Sequence, residues 1–376
     1  MATITTRAAV AHQAHEGWEL TELQLDDPKE HEVRIRLVAS GLCHSDHHIT
    51  EGDARVRMPV VGGHEGAGIV ESVGPNVTRV KTGDRVVLSY IPACGVCRPC
   101  STGHQNMCVK GLNAGTGMFL DGTYRFHRDG EDYGGFCSLG TFSEYLVASE
   151  WAVVPLPDHI PFPIASLVGC GVPTGWGSAV YAAGVRAGDT VVVFGAGGVG
   201  SNAVQGARYA GAKDVIVVDP IEFKREHAKI FGATAAFATA QEAHDYVRSM
   251  TKGQLADHAI MTPDAVTEEM INAAVLMTGK GGKVTITAVG HFTEKAVHVH
   301  AGALIGYQRQ IRGALFGDCN PLYDIPRLLR LYDSGDLKLD ELVTRKYSLD
   351  QVNEAYDDLV AGRNIRGVII HDPALA

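Results

Sequence analysis

An α/β fold, in which a doubly wound parallel sheet is joined to a mostly-β domain, is what this sequence predicts, on three observations. Residues 190–219 read as a complete strand, glycine turn, helix and second strand. From about residue 172 to residue 315, apolar runs of strand length alternate with helical stretches, the rhythm of a parallel sheet with crossover helices. Outside that stretch the rhythm changes, to short strands and turns before residue 153 and to two helices and a strand after residue 316. The expected domains are therefore 1–171, 172–315 and a return of 316–376 to the first.

The central unit comes first in importance. Strand 191–194 is followed by Gly195-Ala-Gly197-Gly198-Val199-Gly200, a helix to about residue 210, and Val215-Ile-Val-Val218-Asp219. Gly195 allows the tight turn, Gly197 lets the backbone approach a pyrophosphate, and Gly200 lets the helix pack on the sheet. A lone GxGxxG carries little weight. Here buried-strand runs flank it, and an acid stands nineteen residues after Gly200. The reading is a Rossmann-type dinucleotide site, with phosphates at the helix N-terminus, where free N–H groups and the helix dipole favour an anion.

Composition bounds the rest. A chain of 376 residues, 45% hydrophobic and 20% charged, is ordinary for a globular protein and long enough for two domains. No run approaches the roughly 18–20 apolar residues of a membrane span, and the N-terminus lacks a secretory pattern, so a cytoplasmic protein is expected. A net charge of -10 offers no footprint for nucleic acid or an anionic membrane. Of eight cysteines, four crowd into fifteen residues, which in a reducing compartment points to metal.

In chain order, residues 32–37 alternate polar and apolar as a half-buried strand should, and 66–73 and 84–88 read similarly around a turn at 74–76. A barrel or strongly bent sheet is expected. Between these strands lie Cys43-His44-Ser45-Asp46-His47-His48 and Gly62-Gly63-His64-Glu65, and much later Cys170. Two cysteines and a histidine form a recognised catalytic zinc set with an open fourth position, although residues so far apart meet only through the fold. Cys94-Gly-Val-Cys97-Arg-Pro-Cys100, with Cys108 eight residues on, suits a closed structural zinc. An iron–sulfur cluster uses the same ligands, but the spacing matches neither common ferredoxin pattern. Cys137 and Cys319 stand alone and read as small buried hydrophobes. Residues 111–140 read as a long glycine-rich irregular loop that shapes a pocket mouth or an interface. Helices are expected at 224–231, 268–277, 325–332 and 351–360, and strands at 283–289, 311–316 and 367–370.

Taken together, Cys43-His44-Ser45-Asp46, Gly63-His64-Glu65, the cysteine cluster, Cys170 with Thr174, the glycine turn, Asp219 with Lys224, and Asn364-Ile-Arg366-Gly resemble the zinc-dependent medium-chain alcohol dehydrogenases over nearly the whole chain. Gly103-His104-Gln105-Asn106, the 121–126 stretch and 171–177 resemble the NDMA-dependent, nicotinoprotein branch. The resemblance implies a GroES-like catalytic domain beside the Rossmann sheet, and two zinc ions and NAD(H) per chain. It also implies a small alcohol as substrate, an external electron acceptor or redox carrier, and a homo-oligomer, dimer or tetramer. Zinc on Cys43, His64 and Cys170 is then expected to bind the alcohol oxygen and lower its pKa, with hydride passing to nicotinamide. Ser45 is expected to take the proton and pass it through the cofactor ribose to His48 near solvent, with Asp46 and Glu65 orienting the ligands. Asp219 is expected on the adenosine ribose, selecting NAD over NADP, with Lys224 beside it, Thr174 among the cofactor contacts and Arg366 on the pyrophosphate. His44 departs from the pattern, because many relatives carry arginine there and a fixed positive charge is lost. Tyr90, Leu139, His291 and Leu315 fall where pocket walls lie. The expected function is alcohol oxidation by NAD that stays bound and is reoxidised in place. The alternatives are a conventional NAD-releasing alcohol or formaldehyde-adduct dehydrogenase and, from another class, a metal-stabilised binding protein without activity.

Overall fold

Strand pairing sorts residues 1–170, with two strands from the C-terminal segment, into a barrel and a sheet. In the computed structural model, which describes residues 3–288 and 297–376, the closed barrel runs in the order β1 (Ile4–Ala11), β2 (Glu19–Leu25), β7 (Phe126–Arg128), β8 (Glu131–Gly135) and β4 (Val60–Val61). The seven-stranded sheet runs β10 (Val153–Pro155), β6 (Arg85–Leu88), β5 (Glu65–Val73), β3 (Glu32–Gly41), β18 (Arg366–Ile370) and β17 (Val343–Tyr347), with β9 (Tyr145–Ser149) also on β3. Val10, Leu23, Ile35, Val61, Leu88 and Leu146 join both in one core. A second core packs the helix Val352–Val360 through Val352, Ala355 and Tyr356 onto Trp18, Leu42 and Phe142.

Two expectations for this unit need correction. β3 alternates in sequence, yet nearly every residue of it is buried, because β5, β9 and β18 all pair with it. Its polar residues are satisfied by ion pairs instead of water: Arg34 donates to Glu71 at 2.9 Å and Asp27 at 3.0 Å, and Glu32 accepts from buried Arg125 at 2.8 Å. Residues 111–140 are not one irregular loop either. They supply β7 and β8, joined by Asp129-Gly130 with positive φ at both, a hairpin turn of the kind Asp-Gly favours. The segment before them is tied down by Asp121, which accepts from Arg125 at 3.0 Å and from Lys29 at 2.8 Å.

The second unit is a six-stranded parallel sheet in the order β13 (Ala235–Phe237), β12 (Asp214–Val218), β11 (Thr190–Phe194), β14 (Ala256–Met261), β15 (Thr278–Ile286) and β16 (Gln310–Gly313). Order reverses between β11 and β14, which makes their carboxyl ends the topological switch point. Helices Gly198–Tyr209, Glu222–Ile230, Ala240–Met250 and Glu268–Met277 connect the strands. Thr239 and Glu242 close a capping box on the third, and Thr267 accepts from Met270 N–H at 3.2 Å on the fourth. β15 starts earlier than the expected 283–289, whose last residue lies outside the described residues, and β16 stops at Gly313 because residues 316–318 turn.

The units comprise Met1–Cys170, Asn320–Ser334 and Leu339–Ala376 in one, and Gly171–Cys319 with Gly335–Lys338 in the other. The chain thus leaves the second unit at Cys319 and returns briefly at 335–338, where Gln205 pairs with the Lys338 backbone in both directions, at 2.7 and 3.0 Å. Among the described residues no helix is long and apolar enough to cross a membrane.

Candidate functional site

Cys43 sits at the start of the helix His44–Thr50, His64 follows the short strand β4, and Cys170 lies just after the helix Phe162–Leu167. Ligand atoms of these three and of Glu65 lie within 4.8 Å of one another. His64 is brought in by Gly63, whose φ of 84° is open to glycine alone and where a Cβ would meet Thr141 Oγ1 and Phe142 at 2.5 Å. Asp46 then fixes both residues: its Oδ1 accepts from Gly63 N–H at 2.9 Å and meets His64 Nδ1 at 3.1 Å. With Nδ1 engaged by a carboxylate, Nε2 is the ring atom offered as a ligand.

Charge in this pocket fits a cation. The hydrogen bond from Cys170 holds the Cys43 thiol well below its ordinary pKa, with His64 assisting, while the same bond pushes Cys170 up. Burial works against charge on His64, yet Asp46 and Cys43 keep its pKa well above the usual value. Burial raises Asp46, and pushes Glu65 up to about 7 against the pull of Arg366. A buried cluster of anionic donors that must share protons among themselves is what a divalent metal relieves. The rings of Phe136 and Tyr90 stand edge-on to His64 at 5.3 and 5.6 Å, so the imidazole has an aromatic wall.

The second cysteine set is local. Sulfurs of Cys94, Cys97, Cys100 and Cys108 also lie within 4.8 Å, and none forms a disulfide. Backbone N–H groups point at them: Cys94 N–H reaches Cys108 Sγ at 3.4 Å, and against burial the N–H groups of Val109 and Cys100 hold the Cys97 thiol down to about 6. Cys100 is pushed up to about 12 by burial among the other sulfurs. Four converging thiols with N–H support suit a closed tetrahedral zinc.

In the second unit the glycine turn follows β11 and opens the helix Gly198–Tyr209 with Gly197 at its N-cap. A Cβ on Gly200 would lie 1.9 Å from the Gly195 carbonyl, whereas one on Gly197 would meet nothing within 4 Å. The first contact seats the helix on its strand; the second leaves open backbone where a phosphate can approach.

Comparison with known proteins agrees with this chemistry. Residues 29–158 match the family described as alcohol dehydrogenase GroES-like domain, and residues 198–334 match zinc-binding dehydrogenase. The NDMA-dependent alcohol dehydrogenase of Amycolatopsis methanolica is 55% identical over 97% of this chain and 99% of its own. The chain belongs to the zinc-dependent alcohol dehydrogenases. The putative alcohol dehydrogenase D of Mycobacterium tuberculosis is 54% identical over 97% of this chain and all of its own. The crystal structure of benzyl alcohol dehydrogenase from Acinetobacter calcoaceticus superposes with a TM-score of 0.91 at 29% identity, covering 98% of this chain and 100% of that one. Zinc is thus a cofactor of this alcohol dehydrogenase.

The remaining expected site residues of the dehydrogenase fall as follows. Ser45 lies beside Cys43, whose thiol reaches its Oγ at 3.6 Å. His48, expected near solvent, is buried at 4% exposure; the turn after its helix covers it. Asp219 is buried and already engaged, its Oδ2 accepting from Ala196 N–H at 2.8 Å and its Oδ1 from Ile221 N–H at 2.9 Å, so it braces the glycine turn as well as facing any ribose with its remaining lone pairs. Arg225, unmarked in the sequence, fastens the same corner by donating to the carbonyls of Asp219 and Pro220 at 2.8 Å each. Lys224 is half-buried on the helix Glu222–Ile230. Thr174 is buried in the helix Gly171–Gly177, its Oγ1 without a protein partner among the described residues. Arg366 is 4% exposed and paired with Glu65, so a buried carboxylate holds the guanidinium expected on a pyrophosphate. His44 opens the helix that Cys43 caps. Of the expected pocket walls, Leu139 is buried, Leu315 is half exposed and His291 lies outside the described residues. Sequence reasoning missed Tyr356, whose hydroxyl donates to the Cys43 carbonyl at 3.4 Å and whose ring stacks on His47. No local signal marks it, since it arrives from a helix three hundred residues away.

Proposed function

We propose that the chain oxidises a small alcohol to an aldehyde or ketone with NAD that remains bound and is reoxidised in place by an external acceptor. The converging Cys43, His64 and Cys170 carry the first half of this reading: the fourth donor beside them, Glu65, is held by Arg366, and while it stays there one position of a tetrahedral site remains for substrate. When bound, zinc supplies a Lewis acid that makes the alcohol more acidic, and NAD supplies the hydride acceptor. The chain's own residues do the rest. Asp46 sets the His64 tautomer, and Glu65 with Arg366 balances charge behind the cluster. Ser45, next to Cys43, takes the hydroxyl proton and His48 receives it. Cys94, Cys97, Cys100 and Cys108 hold a second, structural zinc. Asp219, Lys224, Thr174, His44, Arg366 and the 195–200 turn bind NAD. We also read a cytoplasmic homo-oligomer, dimer or tetramer.

The second half, cofactor retention, rests on the 55% identity to an NDMA-dependent enzyme. Mass spectrometry of small molecules released on denaturing freshly purified protein tests it. NAD(H) released in about one copy per chain, with reduction of NDMA by alcohol and no free NADH, is expected. Protein free of nucleotide that reduces added NAD through many turnovers establishes the conventional NAD-releasing dehydrogenase instead.

A further inference from the structure

The helix His44–Thr50 ends in a reversal written by backbone bonds: Glu51 N–H to His47 O at 3.0 Å, Gly52 N–H to Ile49 O at 3.2 Å and Ala54 N–H to His48 O at 3.1 Å. That reversal brings residue 53 back against His48. The Asp53 carboxylate meets His48 Nδ1 with both oxygens, at 2.8 and 2.9 Å. The imidazole side chain is 5% exposed, whereas that of Asp53 is 17% exposed. An ionised carboxylate only accepts, so the hydrogen of this bond belongs to Nδ1 and the acceptor of the neutral ring is Nε2.

We propose that Asp53 is a positioning residue for proton removal, fixing His48 as the Nδ1–H tautomer and balancing the imidazolium formed when Nε2 takes up the alcohol proton. The proposal rests on the reading of Ser45 and His48 as the proton path. The transfer balances without a co-reactant. Nε2 gains the proton that leaves the alcohol through Ser45, the Nδ1–H bond to Asp53 stays intact, and the positive ring faces a negative carboxylate until the proton goes to water. Asp53 also resolves a difficulty in that path. A buried imidazole that becomes charged without a partner is costly, and the carboxylate offsets that charge while keeping an edge in solvent.

Asp53→Asn is the discriminating change, because the amide has nearly the same shape yet can donate its own N–H to Nδ1 and turn the ring to the Nε2–H tautomer. Expected at neutral pH is a loss in kcat on the order of 10-fold, less than the roughly 100- to 10,000-fold that a general base supplies outright because His48 itself remains, with KM for alcohol nearly unchanged. In a His48→Gln background the same change is expected to cost nothing further. An equal loss in both backgrounds, or a rise in KM without a fall in kcat, overturns the proposal. Side-chain 15N resonances of the purified wild-type protein give a readout apart from turnover. They are expected to show a protonated Nδ1 and an unprotonated Nε2 on His48, and the reverse pattern overturns the proposal even if Asp53→Asn folds poorly. The expected resonances together with a His48→Gln variant of undiminished turnover place the fault in the proton path itself, and the catalytic role of Asp53 falls with it.

Discussion

Cys43 and Cys97 are both thiols in cysteine clusters, yet opposite outcomes are expected from their loss. Cys43 belongs to the set with His64 and Cys170, whose fourth donor Glu65 is tied to Arg366, so Cys43→Ser is expected to abolish alcohol turnover while shifting the melting temperature by only a few degrees. Cys97 belongs to a closed four-sulfur set, whose metal contributes directly to folding free energy, so Cys97→Ser is expected to lower the melting temperature sharply. Calorimetry with elemental analysis checks both: two zinc ions per wild-type chain are expected, and equal destabilisation by the two changes contradicts the division of roles. Ser45→Ala is expected to slow oxidation more at neutral than at high pH, because hydroxide replaces a missing proton acceptor when abundant; turnover measured across pH reads this directly. The cysteine cluster at 94–108 was legible because its ligands are sequence neighbours. Asp53 and Tyr356 were not, because one depends on how a helix end reverses and the other on tertiary packing.

At the scale of elements, the glycine turn and the barrel hairpin show how far local patterns reach. Gly200 was legible as a packing glycine, and the 1.9 Å approach of its Cβ position to the Gly195 carbonyl gives that role a number. Backbone cannot yield as a flexible side chain does, so Gly200→Ala is expected to destabilise the fold by about 3 kcal/mol or more, measured by denaturant titration of nucleotide-free protein. The hairpin of β7 and β8 was read as loop although Asp129-Gly130 announces it, because its strands are only three and five residues long and pair with β2 and β4. Arg125 anchors that hairpin, and Arg125→Met leaves buried Glu32 without its charged partner, with the Lys29 N–H still donating to it at 3.0 Å. A loss of about 3–5 kcal/mol is expected. A change under 1 kcal/mol in the same titration shows that Glu32 finds another donor. Deleting residues 121–135 removes barrel strands and so tests the fold, not a loop.

For the whole molecule, the proposed retention of NAD dictates kinetics. If NADH does not leave, the aldehyde must depart before the acceptor enters, and the two half-reactions alternate. Parallel double-reciprocal lines are expected when alcohol and NDMA are varied together, and intersecting lines exclude this order. A zinc chelator is expected to act in two stages, removing turnover first and stability later, because the Cys2His set is open while the four-cysteine set is closed by its own ligands. Loss of activity and of the folded state in a single step contradicts that order.

The sequence by itself determined the class of sheet, the nucleotide turn and the closed cysteine cluster, since each is written in neighbouring residues whose spacing maps directly onto a strand, a turn or a tetrahedron. It also supplied Cys43, His64 and Cys170 as candidates. Only the tertiary structure decided that they meet, because Gly63 must take a left-handed backbone and Asp46 must lock it before the imidazole can face the two sulfurs. The same holds for charge. Nothing in the order of residues says that Glu65 lies against Arg366, that Asp219 braces the turn it follows, or that His48 is buried against Asp53. Those pairings follow from burial, which makes an unpartnered charge too costly to keep and so selects partners by proximity in space.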